Sequence, residues 1–184
     1  MLRSKLFFVL AISMAGLVAI SNFLVQFPVN YFEMDSILTY AAFTYPITFL
    51  ITDLANRKYG KFIARRIVYL GFFTGVLLTL FFSTNFKDLI SIRIAIGSGT
   101  AFIISQRLDV YVFDKLRNKY WFIPPLASSI NGSVIDTFLF FSIAFYATGI
   151  PWFTLALGDL MVKLFVALLM LVPFRLLLKT FRPI

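Results

Sequence analysis

Six long apolar stretches run along the chain, separated by short connections that hold most of its charged residues. A helix needs roughly 20 residues to cross the hydrocarbon core of a bilayer, and most of these stretches reach that length. The pattern predicts an all-α integral membrane protein, a bundle of six transmembrane helices that fills residues 1–184 as one domain. The predicted spans lie at about 6–27, 37–53, 65–84, 90–112, 126–148 and 153–175.

The composition supports this class and excludes several functions. Of the 184 residues, 60% are hydrophobic and 14% are charged, whereas soluble domains have about 25% charged residues. The chain has neither Cys nor His, which removes disulfides, thiolate and imidazole metal ligands, and the commonest general base. It also lacks the G-x-x-x-x-G-K-[ST] phosphate-binding motif, so it is not expected to hydrolyse ATP by that route.

Lys and Arg residues are concentrated in alternate connections, which indicates how the helices are oriented. One set of connections holds thirteen of them, while the opposite set holds Lys87 together with Glu33, Asp35 and Asp88. Because basic residues are enriched in cytoplasmic loops, both termini are predicted to be cytoplasmic. The net charge of +9 is then a signal of topology and not of nucleic-acid binding. The thirteen residues are Arg3, Lys5, Arg57, Lys58, Lys61, Arg65, Arg66, Lys115, Arg117, Lys119, Arg175, Lys179 and Arg182.

Asp136 is the most informative polar residue, because it lies midway along an otherwise uncharged run from residue 121 to residue 158. An ionised carboxylate inside a membrane is costly unless it faces a partner or a wet cavity. At a rise of about 1.5 Å per residue, Asp136 lies roughly 15 Å deep and Lys163 lies at about the same level. Asp159 precedes Lys163 by one turn on the same helix face. An Asp136–Lys163 pair or an Asp159–Lys163 pair would lower the desolvation cost.

A second group of polar residues is predicted nearer the cytoplasm. Gln106 and Asp109 share a face of the fourth span, and Asp53 and Asn56 end the second span at a similar depth. Asn131 lies roughly 7 Å into the fifth span, so these five side chains can converge in one layer. The candidate charge partners inside the spans are Arg93, Arg107 and Asp159.

Simpler roles for these residues stay open. Arg93 and Arg107 can extend to the lipid head groups, and Asp53 and Asp109 can pair with basic residues nearby. A mixture of Asp, Asn and Gln suits a planar ligand with several hydrogen-bonding groups better than a bare ion. Asp136 and Asp159 on successive spans leave an aspartyl intramembrane protease formally open, although residues 156–159 lack the first Gly of the GxGD pattern.

Three segments resemble the queuosine precursor transporter family, also called the vitamin uptake (VUT) family. They are TYPITFLITDLANRKYGKFIARRIV at 44–68, RIAIGSGTAFIISQRLDVYVFDKLR at 93–117 and PPLASSINGSVIDTFLFFSIAF at 124–145. Lys163 followed by Pro173 resembles the lysine-then-proline pattern of that family's last span. The combination of the ITDLxNRxYG turn, QxxD in the fourth span and IDT in the fifth is specific to the family.

The resemblance implies a multi-pass importer in the bacterial inner membrane that carries 7-deazaguanine bases for the queuosine modification of transfer RNA. The substrate would be cyano- or aminomethyl-deazaguanine or queuine, and neither enzymatic activity nor a cofactor or metal is expected. The chain departs from the family pattern at residues 171–173, where an acidic residue is expected shortly before the final proline. The substrate-binding residues implied by the resemblance are Asp53, Asn56, Gln106, Asp109, Asn131, Asp136 and Lys163.

Two alternative functions stay open. The chain can be the substrate-binding membrane subunit of an ATP-driven vitamin uptake complex, which would require a separate ATPase module. It can also be a non-transporting assembly protein in which the buried charges join helices to each other. A homodimer is compatible with the sequence in either case. Uptake by the purified chain without nucleotide would contradict the first alternative, and stabilisation by a ligand would contradict the second.

Overall fold

The computed structural model describes residues 2–24, 27, 29, 38–83 and 89–183. Within these residues the regular elements are six α-helices, in agreement with the predicted all-α class. The acidic connection with Glu33 and Asp35, the connection with Lys87 and Asp88, and the predicted ends of spans 2 and 3 at residues 37 and 84 lie outside the described residues. The helices are α1 (Leu2–Leu24), α2 (Ala41–Tyr59), α3 (Lys61–Ser83), α4 (Leu89–Leu116), α5 (Ile123–Phe145) and α6 (Trp152–Leu177).

Each helix overlaps one predicted span, but several helices continue past the apolar residues. α2 runs on through Arg57 and Lys58 to Tyr59 and stops where Gly60 adopts a φ of 80°. This backbone conformation costs a glycine little and most other residues much more. α4 likewise continues beyond residue 112 to Leu116. Helical hydrogen bonding does not depend on an apolar surrounding, so these helices extend beyond the stretches from which they were predicted.

Three helices in the described part of the chain are long and apolar enough to cross a membrane. They are α1 over Lys5–Leu24, α5 and α6. α2 is less apolar because it carries Asp53, Arg57 and Lys58 within its 19 residues. The chain is therefore a helical membrane protein, and six crossings with cytoplasmic termini remain a prediction.

The helices alternate in direction, and contacts between side chains show which ends lie together. Lys58 Nζ donates to the Thr180 carbonyl at 2.9 Å, and Lys61 Nζ lies 3.2 Å from Asp114 Oδ2. The Arg175 guanidinium lies 5.1 Å from the centre of the Trp121 ring. Residues 56–61, 114–121 and 175–182 thus form one end of the molecule, which we call the basic end.

At the opposite end, the start of α4 is joined to the end of α5. Arg93 Nε donates to the Ile143 carbonyl at 3.1 Å, and Arg93 Nη2 donates to the Tyr146 carbonyl at 2.7 Å. Arg93 therefore satisfies carbonyl groups that the end of a helix leaves free, instead of pairing with a buried acid.

Glycines allow α3 to approach α1 closely within the same chain. A Cβ atom added at Gly75 would lie 2.7 Å from Val18 Cβ and 2.9 Å from the Ala15 carbonyl oxygen. A Cβ atom at Gly71 would contact the Met14 side chain just as closely. Small residues spaced in this way let helix backbones pack together in membranes. The Gly71–Gly75 pair thus serves packing inside the bundle.

We predict that Gly75→Ala lowers the free energy of unfolding by about 1–3 kcal/mol, because the added methyl group overpacks against the α1 backbone. The measurement is unfolding of the purified protein in detergent micelles. Gly16→Ala is the matched control, since nothing lies within 4 Å of a Cβ atom at Gly16, and it should be neutral or slightly stabilising. Equal stability of the two variants would contradict the close α1–α3 packing.

Candidate functional site

Three charged side chains meet in the interior between α5 and α6. Lys163 Nζ lies 2.9 Å from Asp136 Oδ2 and 2.6 Å from Asp159 Oδ2. The exposed fractions of these residues are 4% for Lys163, 4% for Asp136 and 7% for Asp159. We call Asp136, Asp159 and Lys163 the charge triad. Both pairings predicted from depth and helix spacing are present at once.

Hydroxyl groups form further hydrogen bonds with the charge triad. Thr137 Oγ1 donates to Asp159 Oδ2 at 2.9 Å and also lies 3.2 Å from Lys163 Nζ. Ser105 Oγ lies 3.3 Å from Asp136 Oδ1, which links α4 to the cluster. With all three charged groups ionised, the triad carries a net charge of −1. It is compensated well enough to be buried, yet its negative charge favours ligands that present N–H donors or a positive charge.

The charge triad borders a cavity that contains about 760 Å³ of empty space, including the part open to its mouth. The lining includes the beginning of α2 together with Phe145 and Leu155, which lie towards the end of the molecule opposite the basic end. Phe140, Phe141 and Phe145 supply aromatic surface on one side of the cavity.

A second set of polar groups lies on the other side of the cavity. Tyr45 Oη lies 2.9 Å from Ser98 Oγ and 3.3 Å from Asn22 Oδ1. Ser98 Oγ lies 3.0 Å from the same Asn22 oxygen. Lys163 Nζ lies 5.7 Å from the centre of the Tyr45 ring, a distance at which a cation is attracted to an aromatic face. Asn22, Tyr45 and Ser98, which we call the polar wall, therefore join α1, α2 and α4 beside the triad.

The sequence did not reveal the polar wall as a site. None of Asn22, Tyr45 and Ser98 was predicted to be a site residue. The available signal was a polar side chain on an apolar helix, at a depth similar to that of the charged groups. Such a signal needs the neighbouring helix to be known, because single polar residues on membrane helices are common.

Below the cavity, towards the basic end, α2 and α4 are joined by a closed polar network. Thr52 Oγ1 donates to Gln106 Oε1 at 2.6 Å, and Gln106 Nε2 donates to Thr48 Oγ1 at 2.9 Å. Asn56 Nδ2 donates to the Val110 carbonyl at 2.9 Å. Gln106 and Asn56 are both completely buried. The network thus fixes two helices to each other and leaves these side chains inaccessible from the cavity.

Two buried acids lie at the same level of the bundle as this α2–α4 network. Asp53 Oδ1 accepts a hydrogen bond from Ser128 Oγ at 2.9 Å, and Asp53 Oδ2 lies 3.5 Å from Ser129 Oγ. Asp109 is completely buried, and neither of its carboxylate oxygens has a hydrogen-bond partner among the described residues. Of the predicted binding residues, Asp136 and Lys163 line the cavity, whereas Asp53, Asn56, Gln106 and Asp109 lie beneath it.

Two predicted residues lie outside both groups. Asn131 is exposed, and its Nδ2 donates to the Ala127 carbonyl of its own helix at 2.8 Å. At 100° per residue, Asn131 points away from the face of α5 that carries Ser129, Gly132 and Asp136. The expectation that Asn131 joins the buried layer is therefore wrong. Arg107 is likewise exposed and forms no described ion pair with Asp109.

Phe49 is a buried aromatic residue between the level of the cavity and the level of the acids. It lies on α2 one turn after Tyr45 and one turn before Asp53, and it is 1% exposed. A Cβ atom added at Gly132 of α5 would lie 2.6 Å from Phe49 Cε1. The ring therefore occupies the space that the missing side chain of Gly132 leaves free.

Comparison with known proteins decides the family. Residues 39–178 match the family model described as "Putative vitamin uptake transporter". The chain is 36% identical to a protein of Haemophilus influenzae named "Probable queuosine precursor transporter", over 85% of this chain and 79% of that protein. The chain belongs to the queuosine precursor transporter (VUT) family.

Two further members of the queuosine precursor transporter family agree with this assignment. The chain is 33% identical to the "Queuosine precursor transporter" of Escherichia coli, over 93% of this chain and 85% of that protein. It is 32% identical to the "Probable queuosine precursor transporter" of Bacillus subtilis, over 69% of this chain and 66% of that protein. These relatives are named as transporters and not as enzymes. No solved structure matches the chain.

In this member of the queuosine precursor transporter family, Lys163→Met should lower the free energy of unfolding by about 3–5 kcal/mol, since two buried carboxylates lose their only cation in the triad. Thermal or denaturant unfolding in detergent measures the loss. Lys61→Met is the matched control: its partner Asp114 is partly exposed, so at most about 1 kcal/mol should be lost. Adding Asp136→Asn and Asp159→Asn to Lys163→Met should restore stability, and a failure of this rescue would contradict the electrostatic explanation.

Proposed function

We propose that this chain imports queuosine precursors, 7-deazaguanine bases, through the cavity bordered by the charge triad. The names of its relatives support the substrate class, and the family assignment supports transport. The single structural observation that carries the proposal is a buried cluster of charged groups in a cavity that is also lined by aromatic side chains. A soluble base that crosses a membrane needs such a place to exchange its hydrogen bonds with water for hydrogen bonds with protein.

The chemistry of a guanine-like base fits the groups around the cavity. Its amidine-like edge presents N–H donors, which Asp136 and Asp159 can accept as charge-assisted hydrogen bonds. Its carbonyl oxygen can accept from Lys163, while the polar wall offers hydroxyl and amide groups to the ring nitrogens. The planar ring can stack on Phe140, Phe141 or Phe145. The net charge of −1 on the triad further suits aminomethyl-deazaguanine, whose amine is protonated at neutral pH.

The positions of the basic end and of the opposite end of the molecule fit import across the bacterial inner membrane. With six crossings and the basic end in the cytoplasm, as the distribution of Lys and Arg predicts, the cavity opens to the outside. This is the side from which an importer takes its substrate. Beneath the cavity, Phe49 and the side chains of the α2–α4 network are buried, which supports an outward-open state.

We predict that a cysteine placed at the basic end is protected in cells with an intact inner membrane. Asn118 and Tyr146 are both exposed and lie at opposite ends of the molecule, and the natural chain has no cysteine to interfere. A membrane-impermeant maleimide should label Tyr146→Cys in intact cells and Asn118→Cys only after permeabilisation. The reverse pattern would contradict the orientation and turn the cavity towards the cytoplasm.

A complementation experiment tests the function and the site together. In cells that can neither make nor import deazaguanines, the wild-type chain should restore queuosine in transfer RNA when a deazaguanine base is supplied. Asp136→Asn should lower uptake about 10- to 100-fold, the equivalent of losing one hydrogen bond to a charged group, about 1.5–3 kcal/mol. Lys163 retains Asp159 as a partner in this variant, so the protein should still insert and fold.

Asp114→Asn is the matched control, because Asp114 forms only partly exposed ion pairs at the basic end. It should transport like the wild type at equal membrane abundance. Restoration of queuosine by Asp136→Asn would contradict the placement of substrate at the triad while leaving transport intact. No restoration by the inserted wild-type chain would contradict the proposed substrate class.

A further inference from the structure

Two buried acids outside the charge triad have no cation to balance them. The exposed fraction is 1% for Asp53 and 0% for Asp109. Four ion pairs join described residues, and none of them includes either acid. Asp53 accepts hydrogen bonds from serine hydroxyls, but Asp109 lacks a hydrogen-bond partner on both oxygens within the described part of the chain. The balance of charge that stabilises Asp136 and Asp159 is thus missing here.

The two acids lie at the same level of the helix bundle. On α2 and α4, Thr52 bonds Gln106 and Asn56 bonds the Val110 carbonyl, which sets Asp53 and Asp109 at the same level on facing helices. Ser128 of α5 donates to Asp53 at this level. Two ionised carboxylates held at one level without a cation would repel each other. Repulsion therefore adds to the desolvation cost of ionising both.

The charged groups on the surrounding helices are engaged elsewhere or point outwards. Towards the cavity, Lys163 of α6 is held by Asp136 of α5 and by Asp159. At the basic end of α4, Arg117 binds Asp114 and the oxygens of Asn56, and Arg107 is exposed. Of the remaining basic residues, Lys61 of α3 pairs with Asp114, and neither Arg57 of α2 nor Arg65 of α3 forms an ion pair with either acid. The side chains that α5 supplies at this level are Ser128, Ser129 and Ser133.

Two like charges without a counter-ion in a low-dielectric interior are far more stable when they share a proton. Metal coordination is a weaker alternative, since no group of three or more acidic side chains with the spacing of a metal site exists among the described residues. Ser133, whose buried hydroxyl has no described partner, lies on α5 between this level and Asp136. A hydroxyl at that position can pass a proton between the cavity and the two acids.

We propose that Asp53 and Asp109 form a binding site for one proton, and that this proton is carried inward together with the imported base. The inference rests on the proposed function, because it assigns the energy source of that transport. In the outward-open state the acid pair holds a proton taken from the cavity side. When Phe49 and the α2–α4 network open towards the basic end, water reaches the pair, and the proton leaves to the less acidic cytoplasm.

The test uses the purified full chain in lipid vesicles without nucleotide, with labelled deazaguanine base as the probe. With a more acidic outside, the wild type should accumulate an uncharged base about tenfold per pH unit if one proton accompanies each molecule. At equal pH it should only exchange labelled for unlabelled base. Such uptake without nucleotide would also contradict an ATP-driven complex.

Asp109→Asn should keep exchange at equal pH and lose accumulation driven by the pH gradient. Asp53→Asn, as a second variant at the same site, should behave in the same way. Asp114→Asn, on the same helix but outside the pair, should keep both activities. Accumulation by Asp109→Asn equal to that of the wild type would overturn the inference, and so would accumulation by the wild type with a sodium gradient alone.

Infrared difference spectroscopy provides a readout that does not require transport. The wild type should show the C=O stretch of a protonated carboxylic acid that Asp109→Asn lacks and Asp114→Asn retains. Absence of this band in the folded wild type would overturn the proton site. If the band is present but the wild type neither takes up nor exchanges the base, the proton site stands and the proposed substrate fails.

Discussion

The structure depends on the neutralisation of charge at one point inside an apolar bundle. Lys163 contacts two carboxylates from α5 and α6, and Ser105 extends the cluster to α4. The geometry of the cluster constrains the relative positions of the three helices, because breaking a buried ion pair leaves an uncompensated charge. The same charged side chains line the cavity, together with aromatic residues of α5. The side chains that hold the helices together are thus also the ones that give the cavity its charged groups.

The sequence was sufficient for the features that follow from depth and periodicity. Six helices and the Asp136–Lys163 contact follow from counting residues along the spans, because an isolated mid-membrane acid is too costly to stay unpaired. Features that depend on the direction in which a residue points from its helix axis were harder to predict from the sequence. Asn131 has the right depth but the wrong direction on α5. The polar wall joins residues 22, 45 and 98 from three helices. Counting the spans does not show how these helices pack, for example that α1 lies close to α3.

The two acidic sites differ in how they meet the cost of burial. Asp136 and Asp159 share Lys163 as a cation, which compensates charge within the bundle. Asp53 and Asp109 have hydroxyl groups around them but no cation, and they lie behind a closed network. A fixed charge is suited to recognition, whereas an uncompensated pair changes its charge when its exposure to water changes. The chain therefore combines both kinds of site within a few helical turns.

Phe49 has a consequence for the membrane as well as for the substrate. Its ring packs against Gly132, between the level of the cavity and the level of the acids on α2. A cell that maintains an ion gradient loses energy through any pore that stays open, even briefly, at both ends. A side chain at Gly132 would displace the Phe49 ring. This position therefore limits how much the packing below the cavity can vary.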